Sequence, residues 1–503
     1  MNKSTRLSQT KPEQLYAAVD LGSNSFHLVI VRVVSGSVQI IGKVKQKVRL
    51  ASGLDDDMML DNASLERGWR CLETFAERLQ DIPISNIRAV ATATLRLAKN
   101  ADIFTARAEK ILNLKLDVIS GEEEARQIYL GVAYTSANQG NSLVIDIGGA
   151  STEIIIGNDM EPIHLVSLDM GCVTFIERYF VADKLTEANF QSAIAAAKAL
   201  LAPEVEGFIS FDWQQCLGAS GTPQAIAEIL VAQGISDAIR LDYLYNLRQQ
   251  CIDCGAVASL DIEGLEESRR AIFASGLAIL IALFEELQID QMQISGGALR
   301  EGLIYGMLEN MQQNDRRLQT LEQTMEQFHI ETGQAGRVKN LALNLFKQMQ
   351  GQVELGNIDC EAMLIASAML HETGLHIEYK LHHVHGAYII TYLPLPGYTA
   401  LQRQGIKNLV LNHRQNINIT LFDSFHADVR QTMLYLSRLL RLACILSIRR
   451  RDNLLPDLTL TVDQDVWSLS FPAGWLKAHP LIDAELANEK WQQHKVGWLL
   501  NCQ

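Results

Sequence analysis

Two short segments, 126 residues apart, carry the same chemistry. Residues 20–30 read DLGSNSFHLVI and residues 146–156 read DIGGASTEIII. Asp20 aligns with Asp146, Gly22 with Gly148, Ser25 with Ser151 and Ile30 with Ile156. Apolar runs flank both copies, so each reads as strand, Gly/Ser turn, strand. Glycines such as Gly148 and Gly149 let a backbone approach an anion, and successive N–H groups at such a turn form a nest for phosphate. Ser23, Asn24, Ser25 and Ser151 add hydroxyl and amide donors. Asp20 and Asp146 repel phosphate by themselves; acids in that position usually hold a hard cation such as Mg2+.

A second constellation is ISGEEEARQIYLGV, residues 119–132. Ser120 is a natural N-cap, and Ala125, Ile128, Tyr129 and Val132 fall on one helical face. Glu123 then occupies the third helical position and completes a capping box with Ser120. Glu122 suits the positive end of the helix dipole. Glu124 has neither task, and it is either a surface acid or a general base toward water. Arg96, in ATATLR after a β-rich run, can clamp a phosphate or form a surface ion pair. In LGASGTP (residues 217–223), Thr222 as N-cap and Pro223 as first residue predict a helix start. The N–H groups of Ser220 and Gly221 would then face an anion. Gly296 and Gly297, after a further β-rich run, repeat that design.

These tips need elements to hold them. From residue 15 to about 311, β-rich runs (YAAVDLG, FHLVIVRVV, IRAVATAT, LDVIS, SLVIDIGG, EIIIG, CLGAS, MQISGG) alternate with helical stretches. That pattern predicts α/β structure. Two similar tips predict two similar lobes facing across a cleft. Residues 15–138 are assigned to the first lobe and 139–312 to the second, after a polar tail at 1–14. Residues 313–452 read as helical, and 453–503 as a small α+β extension whose strand pair turns at Asp463, Gln464 and Asp465. The apolar run 271–284, closed by charges at both ends, is too short to span a bilayer and predicts a buried helix.

Composition sets the class. With 48% apolar and 20% charged residues, the chain is a packed globular protein and neither disordered nor low-complexity. Its 44 Lys and Arg stand against 58 Asp and Glu, a formal net charge of −14. That excludes a general nucleic-acid binder and disfavours an anionic membrane surface. The start MNKSTRLSQTKPEQ has no apolar core of a signal peptide. Of eight scattered cysteines, only Cys251 and Cys254 form a CxxC, and no second pair accompanies it. A reduced, cytoplasmic protein is expected.

Taken in order, AAVDLGSNSFHLVI, ATATLR, VISGEEEARQIYLGV, LVIDIGGASTE, MGCVTF, GASGT and GGALREG resemble the sugar kinase/actin/heat-shock ATPase superfamily. Within it the chain resembles the exopolyphosphatase/guanosine pentaphosphate phosphatase family over essentially its whole length. The resemblance implies two ribonuclease-H-like lobes, a helical HD-like domain and the small C-terminal extension. It implies hydrolysis of the terminal 5′ phosphoanhydride of guanosine pentaphosphate (pppGpp) to ppGpp and phosphate, with phosphate release from polyphosphate beside it. Ala150, the ATATLR segment and the RRRD at 449–452 lean toward pppGpp; the alternative is an exopolyphosphatase acting mainly on long chains.

The same resemblance implies roles. Glu124 is the base; Asp146 and Glu153 join it in catalysis, and Asp20, Asp146 and Glu153 hold Mg2+. Ser23, Asn24, Arg96, Gly148, Gly149, Ser151, Ser220, Gly221, Thr222, Gly296 and Gly297 meet phosphate. A homodimer is implied. Six of the 12 histidines lie within 371–413, but His371 is followed by Glu372 and not by the Asp of a working HD dyad, so a degenerate domain without its own metal is expected. Arg438, Arg441 and the arginines at 449–451 either meet the distal phosphates or close a helix C-terminus. A kinase of the same superfamily and a non-catalytic sensor are the other classes. In so acidic a chain, attraction for a polyanion is expected to come from Mg2+, N–H nests and a few arginines, and to depend steeply on divalent metal.

Overall fold

The computed structural model describes residues 14–503 except 35–36, 56, 137–139, 237, 309–315, 357 and 453. The polar tail expected at 1–14 lies outside the described residues up to position 13. The chain divides into two compact units, Met1–Gln313 and Asn314–Gln503.

The first unit contains two five-stranded sheets. One holds β1 (Gln14–Leu21), β2 (Ser25–Val34), β3 (Ser37–Lys47), β4 (Ile87–Ala91) and β5 (Asp117–Val118), in the order β3-β2-β1-β4-β5. The other holds β6 (Asn141–Ile147), β7 (Thr152–Asn158), β8 (Glu161–Leu168), β9 (Gln215–Ala219) and β10 (Gln293–Ile294), in the order β10-β9-β6-β7-β8. Read from the other edge, the second order is the first one repeated. In both, an antiparallel meander of three strands continues into parallel strands. The sheets form two similar lobes, as the repeat of tips predicted, and these have the ribonuclease-H-like order that the family resemblance implied. The expected strands omit β3 and β8, which are the corresponding outer strands of the two meanders.

Helices cover the sheets: α1 (Asn62–Leu79), α2 (Ala93–Leu97), α3 (Ala101–Leu112) and α4 (Gly121–Thr135) follow β3 to β5. In the second lobe come α5 (Cys172–Tyr179), α6 (Glu187–Leu201), α7 (Val205–Ile209), α8 (Gly221–Ala232), α9 (Leu241–Cys254), α10 (Arg270–Glu286) and α11 (Leu299–Gly306). The apolar run at 271–284 is α10, whose residues from Phe273 to Phe284 are all buried. Among the described residues no helix is long and apolar enough to cross a membrane. Alternation in β2 sends Phe26 and Leu28 to a core with α1 and α3, and Val29 and Val31 to a core with α4. α11 joins that second core through Leu299, Leu303 and Ile304, so the chain returns to the first lobe after building the second. The return is tight: a Cβ on Gly302 would stand 1.8 Å from the Gln127 carbonyl oxygen, so only glycine admits this contact of α11 with α4.

The second unit is helical with one small sheet. Its helices are α12 (Arg316–Gln327), α13 (Thr332–Met349), α14 (Cys360–Leu370), α15 (His382–Tyr392), α16 (Ala400–Asn412), α17 (Ala427–Leu446), α18 (Trp475–Ala478) and α19 (Pro480–His494). β11 (Thr459–Asp463) and β12 (Val466–Ser470) form the expected hairpin, and β13 (Leu499–Cys502) adds to it in parallel. The segment assigned to an extension from 453 shares one apolar core with α13, α14 and α17, through Leu460, Trp467 and Ile482. Arg438 is buried here, stacks 4.1 Å from the Trp467 ring and donates to the carbonyls of Asp465 and Leu499. Arg441 forms a buried fork with Glu489 at 2.7–2.8 Å. Arg450 pairs with Glu331 and Glu372. These three arginines are spent on the fold of their own unit.

Four histidines also pack here. His371, His382, His383 and His413 are buried, with rings 5.3 to 6.4 Å from their neighbours in the cluster. The Nδ1 atoms of His371, His382 and His413 lie 2.6–2.9 Å from the carbonyls of Ala368, Tyr379 and Val410. Burial pushes His371 and His383 down to about 4 and His413 well below the usual imidazole range; Arg450 and Arg414 add to the effect on His371 and His383 respectively. Glu372 is the acid facing the cluster, and Arg441 and His385 also face His383. Below an ordinary imidazole pKa of about 6.5 the unfolded chain binds protons that this cluster refuses, so stability falls as pH drops from about 6.5 toward 4. Four of the six tryptophans lie in this unit. Their fluorescence in urea should show the transition moving to lower urea between pH 7 and pH 5, and His413→Gln should flatten that dependence. An unfolding midpoint independent of pH over this range would contradict the assignment.

Candidate functional site

The two Gly/Ser tips are structural copies. Leu21 pairs with Phe26 and Ile147 with Thr152, so the turns have equal length. A Cβ on Gly22 would meet the Ser25 carbonyl oxygen at 3.0 Å, and one on Gly148 would meet that of Ser151 at 3.0 Å. Each tip is tied down from behind. Val48 and Arg49 N–H groups donate to the Asn24 carbonyl at 3.1 and 2.8 Å, and Ala51 N–H to that of Ser23 at 3.0 Å. Cys172 and Val173 N–H groups donate to the carbonyls of Gly148 and Gly149 at 2.9 and 2.8 Å. That explains the MGCVTF segment: Gly171 passes so close that a Cβ there would stand 2.3 Å from the Gly149 backbone. The tips also meet each other, since a Cβ on Gly149 would be 3.0 Å from Ser23 Cβ.

Around this meeting lies a cavity of about 480 Å³. The structure brings to its wall every site residue expected from the sequence except Arg96. Asp20, Ser23 and Asn24 come from the first tip, and Asp146, Gly148, Gly149, Ser151 and Glu153 from the second. Glu124 comes from α4, and Ser220, Gly221, Thr222, Gly296 and Gly297 from the β9–α8 and β10–α11 loops.

Arg96 is the exception. Its Nη1 donates to Glu124 Oε2 at 3.1 Å and to the Ile119 carbonyl at 3.0 Å. The guanidinium expected to clamp phosphate is thus spent on the Glu124 carboxylate. Two local expectations also shift. Ser120 Oγ accepts from Glu123 N–H at 3.1 Å as predicted, but the Glu123 carboxylate does not return to Ser120. It accepts from Gln127 at 2.8 Å and faces Arg88 and Arg126, so only half of the capping box forms. α8 starts at Gly221 with Ser220 as its N-cap, ahead of the predicted Thr222. Ser220 adopts φ 66°, ψ −167°, backbone that a side chain rarely tolerates, and its Oγ donates to the Ile147 carbonyl at 3.0 Å.

Electrostatics divide the cavity. Glu124, Asp146, Glu153 and Asp20 are all nine-tenths buried or more. Burial raises Glu124 to about 7, against the pull of Arg96, and Asp20 and Asp146 raise it further. Burial raises Asp146 to about 6. Glu153 is raised well above the carboxylate range, by burial and then by Glu124 and Asp146, while Ser167, donating to Glu153 Oε1 at 2.7 Å, opposes. The same cavity is lined by Lys43, Lys45, Arg269 and Arg300, with no ion-pair partner among the described residues. Arg269 and Arg300 stand alone in the sequence, and Lys43 and Lys45 lie on an edge strand that the expected strands omit, which is why they were not expected.

His27 was also missed. It stands opposite Asp20 in register as Glu153 stands opposite Asp146. It lines the cavity; its Nδ1 is 3.3 Å from Asp20 Oδ2, and its Nε2 is buried without a hydrogen-bond partner among the described residues. The repeat itself held that signal, because the offset that aligns the two aspartates aligns His27 with Glu153.

Among the described residues no three His, Cys, Asp or Glu side chains close around one point as a metal cage. The expected set Asp20, Asp146 and Glu153 is therefore not a three-carboxylate cage: Asp20 turns to His27 and Glu153 to Ser167. Oxygen donors supplied by one or two carboxylates are what Mg2+ uses when waters and substrate phosphates complete its shell. The crowded acids fit such an ion, because a cation among them offsets the repulsion and burial that raise Glu124, Asp146 and Glu153.

The model of the Ppx/GppA phosphatase family matches residues 29–311, and that of Ppx/GppA phosphatase domain III matches 316–490. A protein of Pseudoalteromonas atlantica named guanosine-5′-triphosphate,3′-diphosphate pyrophosphatase is 75% identical over 503 residues, covering 100% of both chains. A protein of the same name from Pseudoalteromonas translucida is 48% identical over 495 residues, 98% of this chain and 99% of the relative. Among solved structures, an exopolyphosphatase from Cytophaga hutchinsonii aligns with a TM-score of 0.54 at 25% identity, over 59% of this chain and 98% of its own. A Ppx/GppA family member from Aquifex aeolicus aligns with a TM-score of 0.51 at 22% identity, over 60% of this chain and all of its own, and shows the same fold.

The Arg96–Glu124 geometry can be tested by splitting kinetic constants. Arg96→Ala should lower kcat on the order of 10²-fold through a misplaced carboxylate, with KM nearly unchanged, and Arg96→Lys should recover part of the loss. A raised KM at preserved kcat would return Arg96 to the phosphate.

Proposed function

Because the chain belongs to the Ppx/GppA phosphatase family, we propose that it removes the terminal 5′ phosphoryl group of pppGpp, giving ppGpp and phosphate, and also releases phosphate from polyphosphate. The observation that carries this reading is one cavity lined by buried acids of both lobes and by cations without an ion-pair partner among the described residues. The pppGpp preference is supported by the name of the relative that matches this chain end to end at 75% identity.

Glu124 is the base. Its carboxylate takes a proton from water as the water oxygen bonds to the terminal phosphorus and the bond to the bridging oxygen breaks; the electron pair leaves on the diphosphate of ppGpp. Arg96 holds Oε2 of Glu124 and thereby orients the base. The N–H groups of the two tips and of the β9–α8 loop surround the place where equatorial charge develops. Asp146, with Glu153 or Asp20, would hold a divalent cation such as Mg2+, which neutralises phosphate charge when bound. Eight free cysteines support a reducing, cytoplasmic setting. The substrate is a small polyanion, with no role for nucleic acid or membrane, and a homodimer is part of the same reading.

Two outcomes are expected. Glu124→Gln should bind pppGpp yet lose about 10²–10⁴-fold in phosphate release, whereas Glu123→Gln should stay near wild type. Near-wild-type kcat in Glu124→Gln would sink the base assignment. Added Mg2+ should raise the melting temperature of the wild type by binding the folded state, and Asp146→Asn should shrink that rise. An equal rise in both proteins would remove Asp146 from the metal site.

A further inference from the structure

The floor of the cavity deals with the phosphoryl group that reacts, but one strand is built for phosphates that do not. β3 is an edge strand of its sheet. In its ladder with β2, Lys43, Lys45 and Lys47 stand opposite Val29, His27 and Ser25, so all three lie on the face that carries the first tip. At the rise of a strand, Lys43 to Lys47 spans about 13 Å. Lys43 and Lys45 line the cavity, and Lys47 lines an adjoining depression of about 510 Å³ with Arg49 and Arg67. Between them lie Val44 and Gln46, with no acid.

Glu266 is the one acid that counters the crowding of cations on Lys45, and it forms no ion pair there among the described residues. None of the three lysines has an ion pair among the described residues; Lys47 Nζ donates to the Ser268 carbonyl at 2.7 Å. Burial and then the nearby Arg269, Arg300 and Lys47 push the Lys45 ammonium below its usual range, the mark of like charges held together. Lysines on an edge strand commonly serve to discourage edge pairing, and for that they need only face solvent. Lining a cavity beside two arginines costs stability through repulsion and calls for an anion.

We propose that Lys43, Lys45 and Lys47 form a track for phosphate groups remote from the one hydrolysed, gripping them directly and without metal. The proposal rests on the phosphoanhydride hydrolase reading of this cavity. The remote phosphates could belong to the rest of a polyphosphate chain or to the 3′-diphosphate of pppGpp, and the same lysines would serve both.

The test uses the full chain carrying Lys43→Gln, Lys45→Gln and Lys47→Gln together, with the matching triple Lys→Arg variant as control for packing. Phosphate release is measured from long-chain polyphosphate, tripolyphosphate, pppGpp and GTP over a range of salt. The Gln variant should lose at least about tenfold more in kcat/KM on long chains than on tripolyphosphate, or on pppGpp than on GTP, and the pair affected identifies the source. The slope of log kcat/KM against log salt should flatten by roughly one unit per lysine removed, and the Arg variant should restore both. Equal losses on all four substrates, or none, would overturn the track. Equilibrium binding of long-chain polyphosphate in chelator gives an independent readout, expected to be at least about tenfold weaker in the Gln variant. If the wild type released no phosphate from any substrate, the hydrolase reading would fall, while equal binding by wild type and variant in chelator would overturn the track itself.

Discussion

Four carboxylates buried at the meeting of two lobes set the terms for the rest of the first unit. Asp20, Glu124, Asp146 and Glu153 share one cavity floor, and repulsion within the group helps burial raise Glu124, Asp146 and Glu153. A fold does not collect such groups for stability, because burying a charge without a partner is costly. The surrounding structure distributes the burden. Arg96 is committed to Glu124, Ser167 to Glu153 and His27 to Asp20. What remains unbalanced is the demand for a cation among the acids and, in the same cavity, the demand for an anion at its lysines and arginines. A net charge of −14 is therefore compatible with a polyanionic ligand. The cavity gathers its own set of charges, so the global sum says little about the local field. Lys43 and Lys45 add attraction beyond the metal, N–H nests and few arginines to which the sequence had left it.

The two lobes were legible in the sequence because their centres repeat. An acid, a glycine and a serine at fixed spacing between apolar runs identify β1–β2 and β6–β7, and the buried run of α10 announces itself by length and flanking charge. The outer strands β3 and β8 were not legible. SVQIIGKVKQK and EPIHLVSL mix polar residues, lysines and a proline into weak alternation, as edge strands do when only one side packs. Nearly all of the residues singled out in the sequence meet at one cavity, since they sit on the repeated tips and their glycine loops. Arg96 was placed on the phosphate because sequence cannot say which way a long side chain points. His27 was overlooked because a lone histidine on an apolar strand is an ordinary core residue until its partner across the ladder is known.

The second unit shows the opposite use of basic residues. Its arginines at 438, 441 and 450 looked available for a polyanion, yet they stack on tryptophan, fork onto a buried glutamate or bridge two acids of the same unit. The four histidines are likewise closed on one another, three of them with Nδ1 against main-chain carbonyls. Cations that hold a fold together and cations that wait for a ligand have the same one-letter codes. Partners distinguish them, and partners are a property of the tertiary structure.

The return of α11 to the first lobe has a mechanical meaning. The chain crosses between lobes twice, once after α4 and once between β10 and α11. The crossings lie side by side: a Cβ on Gly296 would stand 3.1 Å from Thr135, at the end of α4. The crossings are not loose straps between two bodies: α4 and α11 share one apolar core with Val29 and Val31 of the first sheet and Val144, Ile155 and Leu217 of the second. Both joints between the lobes are thus set in packed interior, beside the glycine pair that lines the cavity.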